Sequence, residues 1–257
     1  MIHPTAVIDP SAHVPSTCSI GPYCVVSAAV ELGEHCELMS HVVVHGPAKI
    51  GPHNRFFPFC AIGGEPQDLS FKGEPTRLEI GGHNVIREFV TINRGTSKGG
   101  GLTRIGNHTM LMAYAHVAHD CVIGDHVIMA NAATLAGHVT IGEWASVGAF
   151  SAVHQFDVVG AHAYIGGGTI VTRDVLPFSK TVAARDAKAY GANSIGLERR
   201  GFSKERIQKI QHAFRVLLNS KLNTTQALEA LKAEGDLGED VARLLKFIED
   251  SERGVIK

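Results

Sequence analysis

Residues 105–147 read IGNHTMLMAYAHVAHDCVIGDHVIMANAATLAGHVTIGEWASV, and an apolar residue recurs in them at every sixth position. These positions are Ile105, Leu111, Val117, Ile123, Met129, Leu135, Ile141 and Val147. A helix would bring back the same face every 3.6 residues and a strand every two, so neither explains this period. A period of six is typical of a parallel β-helix, in which each hexad forms one short strand and one corner.

The same period covers most of the chain, from Ile2 to Val171, with two interruptions. Three hexads close one triangular coil of about eighteen residues, and stacked coils share one continuous core. We therefore predict an all-β parallel β-helix over residues 1–180. Residues 181–257 are predicted to form a connector and a small C-terminal α-helical region, because the hexads stop there and helical apolar stripes follow. The last of these helices is predicted to run from about Glu239 to Glu252.

Composition excludes several functions. A formal net charge of -1 at pH 7 argues against nucleic-acid binding, and no apolar run is long enough for stable membrane insertion. Because the repeat begins at Ile2, we expect no signal peptide and a cytoplasmic protein. Cysteines occupy the small interior position of the hexad, where we expect buried free thiols rather than disulfides or metal ligands. They are Cys18, Cys24, Cys36, Cys60 and Cys121.

Two irregular segments interrupt the repeat, at about residues 64–78 and 94–104. A loop on a solenoid adds nothing to the core, so both segments are candidates for binding. A tolerated insertion without function is the alternative explanation for each of them.

Histidines indicate the chemistry. Coil arithmetic places four of them along one edge of the prism: His116, His119, His138 and His154. Isolated surface histidines are the alternative, but four on one edge favour a site. Asp120 follows His119 and is suited to orient its imidazole as a general base. Gly137, one coil from His119, is suited to donate a backbone N–H to a developing oxyanion.

Short segments around these histidines, in the loops and after the prism match one enzyme family. They are Gln67-Asp68-Leu69, Ala118-His119-Asp120-Cys121, Leu135-Ala136-Gly137-His138-Val139, Val153-His154-Gln155-Phe156 and Arg199-Arg200-Gly201-Phe202-Ser203. On these segments the chain resembles the bacterial UDP-N-acetylglucosamine 3-O-acyltransferase family over essentially its whole length.

The resemblance implies a left-handed β-helix and a homotrimer with active sites between subunits. It implies transfer of an acyl chain, a 3-hydroxyacyl group, from acyl carrier protein to the 3-hydroxyl of UDP-N-acetylglucosamine, the first step of lipid A biosynthesis. No cofactor or metal is implied. His119 would be the general base, Asp120 would orient it, and the Gly137 amide would stabilise the oxyanion. The substrate-binding residues would be Asp68, Asn93, His116, His138, His154, Gln155, Gly167, Asn193, Arg199 and Arg200.

The chain departs from the family pattern at three places. Asn93 stands where histidine is common, Ser70 where lysine is common, and residues 184–186 where Gly-Asn and a basic residue are usual. Lys72 is a candidate to replace the missing lysine. These departures leave open the same acyl transfer to a 3-amino UDP-sugar. A zinc enzyme resembling γ-type carbonic anhydrase and a non-catalytic solenoid are more distant alternatives.

Overall fold

The computed structural model describes residues 1–182, 189, 191–219 and 221–251. It separates into two compact units, Met1–Ala184 and Arg185–Lys257. The first unit is a left-handed parallel β-helix of three faces, which confirms the fold class predicted from the hexads and the resemblance. Most coils contribute one short strand to each face, and neighbouring coils pair in parallel, as His116 does with Thr134.

The strands of the described residues fall into three sheets, named here faces 1, 2 and 3. Face 1 consists of β1 (Val7–Ile8), β3 (Val25–Val26), β6 (Val43–Val44), β9 (Ala61–Gly64), β12 (Thr91–Asn93), β15 (His116–Val117), β18 (Thr134–Leu135), β21 (Ala152–Val153) and β24 (Ile170–Val171). Face 2 consists of β4 (Val30–Leu32), β7 (Ala48–Ile50), β10 (Arg77–Ile80), β13 (Leu102–Ile105), β16 (Val122–Ile123), β19 (Thr140–Ile141) and β22 (Val158–Val159). Face 3 consists of β2 (Ser19–Ile20), β5 (Glu37–Leu38), β8 (Arg55–Phe56), β11 (Val85–Ile86), β14 (Met110–Leu111), β17 (Ile128–Met129), β20 (Ser146–Val147), β23 (Tyr164–Ile165) and β25 (Lys180–Thr181).

The hexad period sets which side chains form the core. In β16 the first residue, Val122, is 44% exposed, whereas the second, Ile123, is 1% exposed and faces the prism interior. The same alternation recurs from coil to coil and stacks the apolar residues into one continuous core. All five cysteines lie buried in this core, which confirms the interior position predicted from the hexads.

The corners of the prism are closed by residues in the left-handed backbone conformation. At the corner between faces 1 and 2, named corner A, Asp120, His138 and Phe156 have φ of 60°, 63° and 70°. At the corner between faces 2 and 3, corner B, a column of stacked rings with centroids 4.7 to 5.0 Å apart runs through His35, His53, His83, His108 and His126. A left-handed conformation is uncommon for residues other than glycine, so it marks each turn of the chain.

Both irregular loops leave the prism between face 1 and face 2, the side on which corner A lies. The first connects β9 to β10, and the second connects β12 to β13 and contains a 3-10 helix, Ser97–Gly99. An internal ladder of hydrogen bonds joins the coils across both insertions. The Asn54 side chain accepts from the Asn84 N–H at 3.0 Å, and the Asn84 side chain accepts from the Thr109 N–H at 2.7 Å. The coils therefore stay in register although their lengths differ.

The second unit contains α1 (Ser194–Arg199), α2 (Lys204–Asn219), α3 (Thr224–Ala233) and α4 (Glu239–Glu249). Its core is formed by buried side chains of α2, α3 and α4, among them Leu217, Leu231 and Val241. The last helix begins at the predicted Glu239 and ends at Glu249, with Asp250 as its C-cap. The predicted end at Glu252 lies outside the described residues. Sequence periodicity missed the short α1. No helix in the described part of the chain is both long and apolar enough to cross a bilayer.

Candidate active site

His119 and Asp120 form a buried pair at corner A, directly after β15. The Nδ1 atom of His119 lies 2.8 Å from Oδ2 of Asp120. The two residues are only 8% and 7% exposed. Because Nδ1 is engaged by the carboxylate, the hydrogen bond favours the tautomer in which Nδ1 carries the proton and Nε2 is free to accept one. This is the arrangement of a general base held by an acidic partner.

The Asp120 carboxylate has further partners in the second loop. Its Oδ1 accepts a hydrogen bond from the Thr96 N–H at 2.8 Å, and its Oδ2 accepts one from the Thr96 hydroxyl at 2.6 Å. The Asp120 N–H donates to Oγ1 of Thr103 at 2.8 Å. These contacts hold both carboxylate oxygens in fixed positions beside the His119 ring. Sequence reasoning missed both threonines. Thr96 lies in the irregular loop, which no period relates to the corner, whereas Thr103 lies in β13 and was not singled out.

Gly137 packs against the His119 ring from the next coil. A β-carbon built on Gly137 would lie 2.5 Å from Cε1 and 2.8 Å from Nε2 of His119. Among the described residues none accepts a hydrogen bond from the Gly137 N–H. A backbone donor beside the reactive nitrogen of a histidine is suited to bind an oxyanion.

Two further histidines surround the pair. The His138 ring meets the His119 ring edge-on, with centroids 5.1 Å apart, and its Nε2 lies 3.7 Å from Oδ2 of Asp120. Nδ1 of His116 lies 2.7 Å from the Thr91 hydroxyl. Burial lowers the pKa of His116, and the charge of His119 acts in the same direction. His116 is therefore held in its neutral form beside the pair.

His119, Asp120 and His138 are also the one group in the described part of the chain whose ligand atoms are close enough to hold a metal ion, within 4.8 Å of one another. Nδ1 of His119 and both carboxylate oxygens are already engaged in hydrogen bonds. An ion bound there would displace the hydrogen bonds that orient the pair. The geometry therefore favours a base and its orienting carboxylate over a structural metal centre.

The first loop brings Asp68 toward this corner. Hydrogen bonds from the backbone and hydroxyl of Ser70 lower the pKa of Asp68, and the nearby charges of His119 and Lys98 lower it further. Nζ of Lys98, on the second loop, donates to the Ser70 hydroxyl at 3.0 Å. The ammonium group beside Ser70 is thus supplied by Lys98, a residue that sequence reasoning did not single out. The role suggested for Lys72 stays a prediction.

Asn93 lies at the end of β12 with one side-chain atom unpaired. Its Nδ2 donates to the Glu65 carbonyl at 2.7 Å, whereas its buried Oδ1 has no partner among the described residues. The residue itself is 6% exposed. A buried amide oxygen without a donor is costly, so this atom is a candidate to accept a hydrogen bond from a ligand.

The structure does not bring every predicted site residue into this cluster. His154 and Gln155 follow β21 and are exposed, with Nδ1 of His154 close to the Gln155 carbonyl, 3.1 Å away. Gly167 lies between β23 and β24, at the corner between faces 3 and 1 rather than at corner A.

The remaining predicted residues lie in or beside the second unit. Asn193 caps α1, where its Oδ1 accepts from the Gly196 N–H at 3.1 Å. Arg199 and Arg200 end that helix and are exposed. Their roles toward a ligand stay predictions. Residues 184–186, one of the departures from the family pattern, lie outside the described residues.

The hexad β-helix, which carries a buried histidine–aspartate pair at corner A, has the repeat of the bacterial hexapeptide transferases. Residues 102–137 match the sequence profile of the bacterial transferase hexapeptide (six repeats). Residues 174–256 match the profile described as UDP N-acetylglucosamine O-acyltransferase, domain 2.

Relatives that match over the full length of the chain show which family of hexapeptide-repeat transferases it is similar to. The acyl-[acyl-carrier-protein]–UDP-N-acetylglucosamine O-acyltransferase of Thermodesulfovibrio yellowstonii is 46% identical over 256 residues, covering 100% of this chain and 99% of the relative. That of Halorhodospira halophila is 45% identical with the same coverage. The solved structure of LpxA from Acinetobacter baumannii is 42% identical with a TM-score of 0.70, covering 100% of this chain and 99% of that one. The chain therefore belongs to the acyl-[acyl-carrier-protein]–UDP-N-acetylglucosamine O-acyltransferase family.

Proposed function

We propose that this protein transfers an acyl chain from acyl carrier protein to the 3-hydroxyl of UDP-N-acetylglucosamine, the first step of lipid A biosynthesis. The observation that carries the proposal is the His119–Asp120 pair beside the unpaired Gly137 N–H. The full-length relatives carry the same activity in their names, which supports it. Family membership argues against the carbonic-anhydrase-like and non-catalytic alternatives.

In this mechanism Nε2 of His119 takes the proton from the sugar 3-hydroxyl as that oxygen attacks the carbonyl carbon of the acyl thioester. Asp120 stabilises the imidazolium that forms, and the Gly137 N–H donates to the oxyanion of the tetrahedral intermediate. The intermediate then expels the thiolate of the carrier, which receives the proton from His119. The products are the 3-O-acyl sugar nucleotide and the free thiol of the carrier.

The substrate would be held by groups from several parts of the chain. Asp68 and Lys98 lie on the two loops next to corner A. We assign both to the sugar nucleotide, with the Lys98 ammonium group pairing with its phosphates. We assign Asn193, Arg199 and Arg200 to the nucleotide as well. His116, His138, His154 and Gln155 would line the pocket for the sugar and the acyl chain.

Gly167 lies at another corner, so it would meet the acyl chain only if a second subunit contributes to the site. We therefore propose a homotrimer with shared sites. We also propose that the protein acts in the cytoplasm and that its acyl donor carries a 3-hydroxyacyl chain. Sedimentation of the active protein tests the assembly, and a stable, fully active monomer would contradict it.

A second candidate is the same transfer to a 3-amino analogue of the UDP-sugar, which would give an amide. Asn93 favours it, because its buried Oδ1 lacks a donor and a neutral amide tolerates an amine better than a cationic histidine would. The acyl donor and the base would be unchanged.

A matrix of assays tests both candidates. Acyl-carrier proteins loaded with 3-hydroxyacyl chains of several lengths are crossed with UDP-N-acetylglucosamine and its 3-amino analogue, and the product is identified by mass spectrometry. A higher kcat/KM for the hydroxyl sugar supports the main proposal, and the reverse supports the second candidate. Turnover of neither sugar by folded protein would exclude both.

A further inference from the structure

A single residue of the second loop, Thr96, donates hydrogen bonds to both carboxylate oxygens of Asp120. The backbone N–H of Thr96 donates to Oδ1 and its hydroxyl donates to Oδ2, at 2.8 and 2.6 Å. Oδ2 is the oxygen that faces Nδ1 of His119. Thr96 is 4% exposed and the Asp120 side chain is 1% exposed, so water has little access to either partner.

The Thr96 hydroxyl is itself held in one orientation. While it donates to Asp120, it accepts a hydrogen bond from the Gly99 N–H at 3.2 Å. The loop closes on itself through the Gly101 N–H, which donates to the Thr96 carbonyl at 2.7 Å. A β-carbon on Gly99 would lie 2.1 Å from the Asp120 carboxyl carbon, so the loop backbone packs directly on the carboxylate. The loop backbone therefore packs closely around the Asp120 side chain.

The hydrogen bonds from Thr96 to Asp120 also fix the orientation of His119. The terminal torsion of an aspartate is soft, so its carboxylate is free to rotate unless its oxygens are held. Rotation of Asp120 would carry Oδ2 away from Nδ1 of His119 and release the imidazole from its productive tautomer and position. A pair of donors on one rigid loop residue prevents that rotation.

Resting on the function proposed above, we propose that Thr96 is a positioning residue of the acyl transfer, acting on His119 through Asp120. The second loop is then part of the catalytic machinery as well as a neighbour of the substrate. Thr96 acts on the Asp120 carboxylate, and its effect is on how often the base is correctly oriented.

The test compares Thr96→Val with Thr96→Ser. Valine keeps the shape and the backbone donor but loses the hydroxyl, so kcat should fall about ten- to hundredfold while KM for the UDP-sugar stays near the wild-type value. Serine restores the hydroxyl and should restore most of kcat. Thr109→Val is the matched control, because Thr109 is an equally buried threonine whose hydroxyl donates to Asn84 at 2.9 Å. It should lower stability and leave kcat unchanged.

A spectroscopic measurement separates positioning from stability. In protein labelled with 15N-histidine, the His119 resonances, assigned by their loss in His119→Ala, should show an Nδ1–H tautomer in wild type and Thr96→Ser. In Thr96→Val they should show a mixture of tautomers. This readout needs no turnover, so it tests the inference even if the proposed substrate is wrong.

If Thr96→Val does not fold, Gly99→Ala tests the same contact from the other side. Its methyl group would push the carboxylate directly. Gly100→Ala meets no atom within 4 Å and is strained only by its φ of 91°, so it controls for backbone strain in the same loop. Gly99→Ala should lower kcat and mix the tautomers far more than Gly100→Ala. The inference is overturned if Thr96→Val keeps both the wild-type kcat and the wild-type His119 tautomer. If Thr96→Val does not fold, the same result in Gly99→Ala overturns it. Inactivity of the wild-type protein toward both sugars would instead count against the proposed function.

Discussion

The His119 ring occupies the space next to Gly137 where a side chain would begin, so that a β-carbon at residue 137 would lie 2.5 Å from Cε1. No real side chain is accommodated at that distance. Residue 137 therefore sets the position of the imidazole as well as offering its N–H, and glycine is required there for steric reasons rather than for backbone conformation.

Gly137→Ala should consequently displace His119 and lower kcat at least about a hundredfold, because a shift of about 1 Å in a reacting group has an effect of this size. The prism should remain folded, since the methyl group meets a ring that is able to move. Turnover and circular dichroism of the variant are the measurements. Gly235→Ala controls for a strained glycine-to-alanine change away from the site, because its φ is 87° and nothing lies within 4 Å of the added methyl. Wild-type turnover in folded Gly137→Ala would show that the close contact has no catalytic importance.

His119→Ala should lower turnover by about a hundred- to ten-thousand-fold, the usual cost of losing a general base. The fold should persist because the side chain sits at a corner rather than in the core. His126→Ala removes a histidine from the stacked column at corner B and should keep its activity. The two variants are compared in the same acyl-transfer assay after their folding has been checked. Comparable rates for them would refute the role assigned to His119.

The hexad period predicted the faces and the core well because it is a local property repeated along the chain. The same period also distinguishes the histidines of corner B from those of corner A. In the uninterrupted second run, His108 and His126 are one coil apart at corner B, whereas His138 lies one coil from Asp120 at corner A. Position within the coil therefore separates the stacked column from the site.

The same arithmetic fails across the two loops, and this explains what the sequence did not predict. The ladder partners Asn54 and Asn84 are 30 residues apart, and Asn84 and Thr109 are 25 apart. Loop conformation, not periodicity, brings Thr96 to Asp120. The position of Lys98 beside Ser70 has the same origin, so neither residue carried a signal that a pattern could reveal.

The depressed pKa of His116 predicts a pH dependence of stability. Burial, followed by the charge of His119, lowers this pKa from its ordinary value of 6.5. The unfolded chain therefore binds the proton first as pH falls, so the free energy of unfolding should decrease below pH 6.5 until the folded pKa is reached. His116→Asn should remove that part of the decrease. Urea denaturation between about pH 7.5 and 5 measures it, and equal pH dependence in both proteins would contradict the prediction.

The cysteines should be inert in the folded protein. Burial raises the pKa of both Cys60 and Cys121 to about 12, and the other three thiols are raised by burial as well. Since the thiolate is the reactive form, a thiol reagent at about pH 8 should modify none of them at a measurable rate. In denaturant all five should react. Rapid labelling of native protein would indicate that the prism opens locally.

Asn93 should influence which sugar is acylated, because its Oδ1 is buried without a donor. The measurement is the ratio of kcat/KM for the 3-amino and 3-hydroxyl UDP-sugars, which does not depend on how much of each preparation is folded. Asn93→His should lower this ratio, since a cationic ring repels an amine in a buried site. Asn93→Asp has nearly the same shape and places a negative charge there, so it should raise the ratio. If both variants keep the wild-type ratio, Asn93 does not determine the choice of sugar, and the unpaired oxygen must be satisfied by a group that the two substrates share.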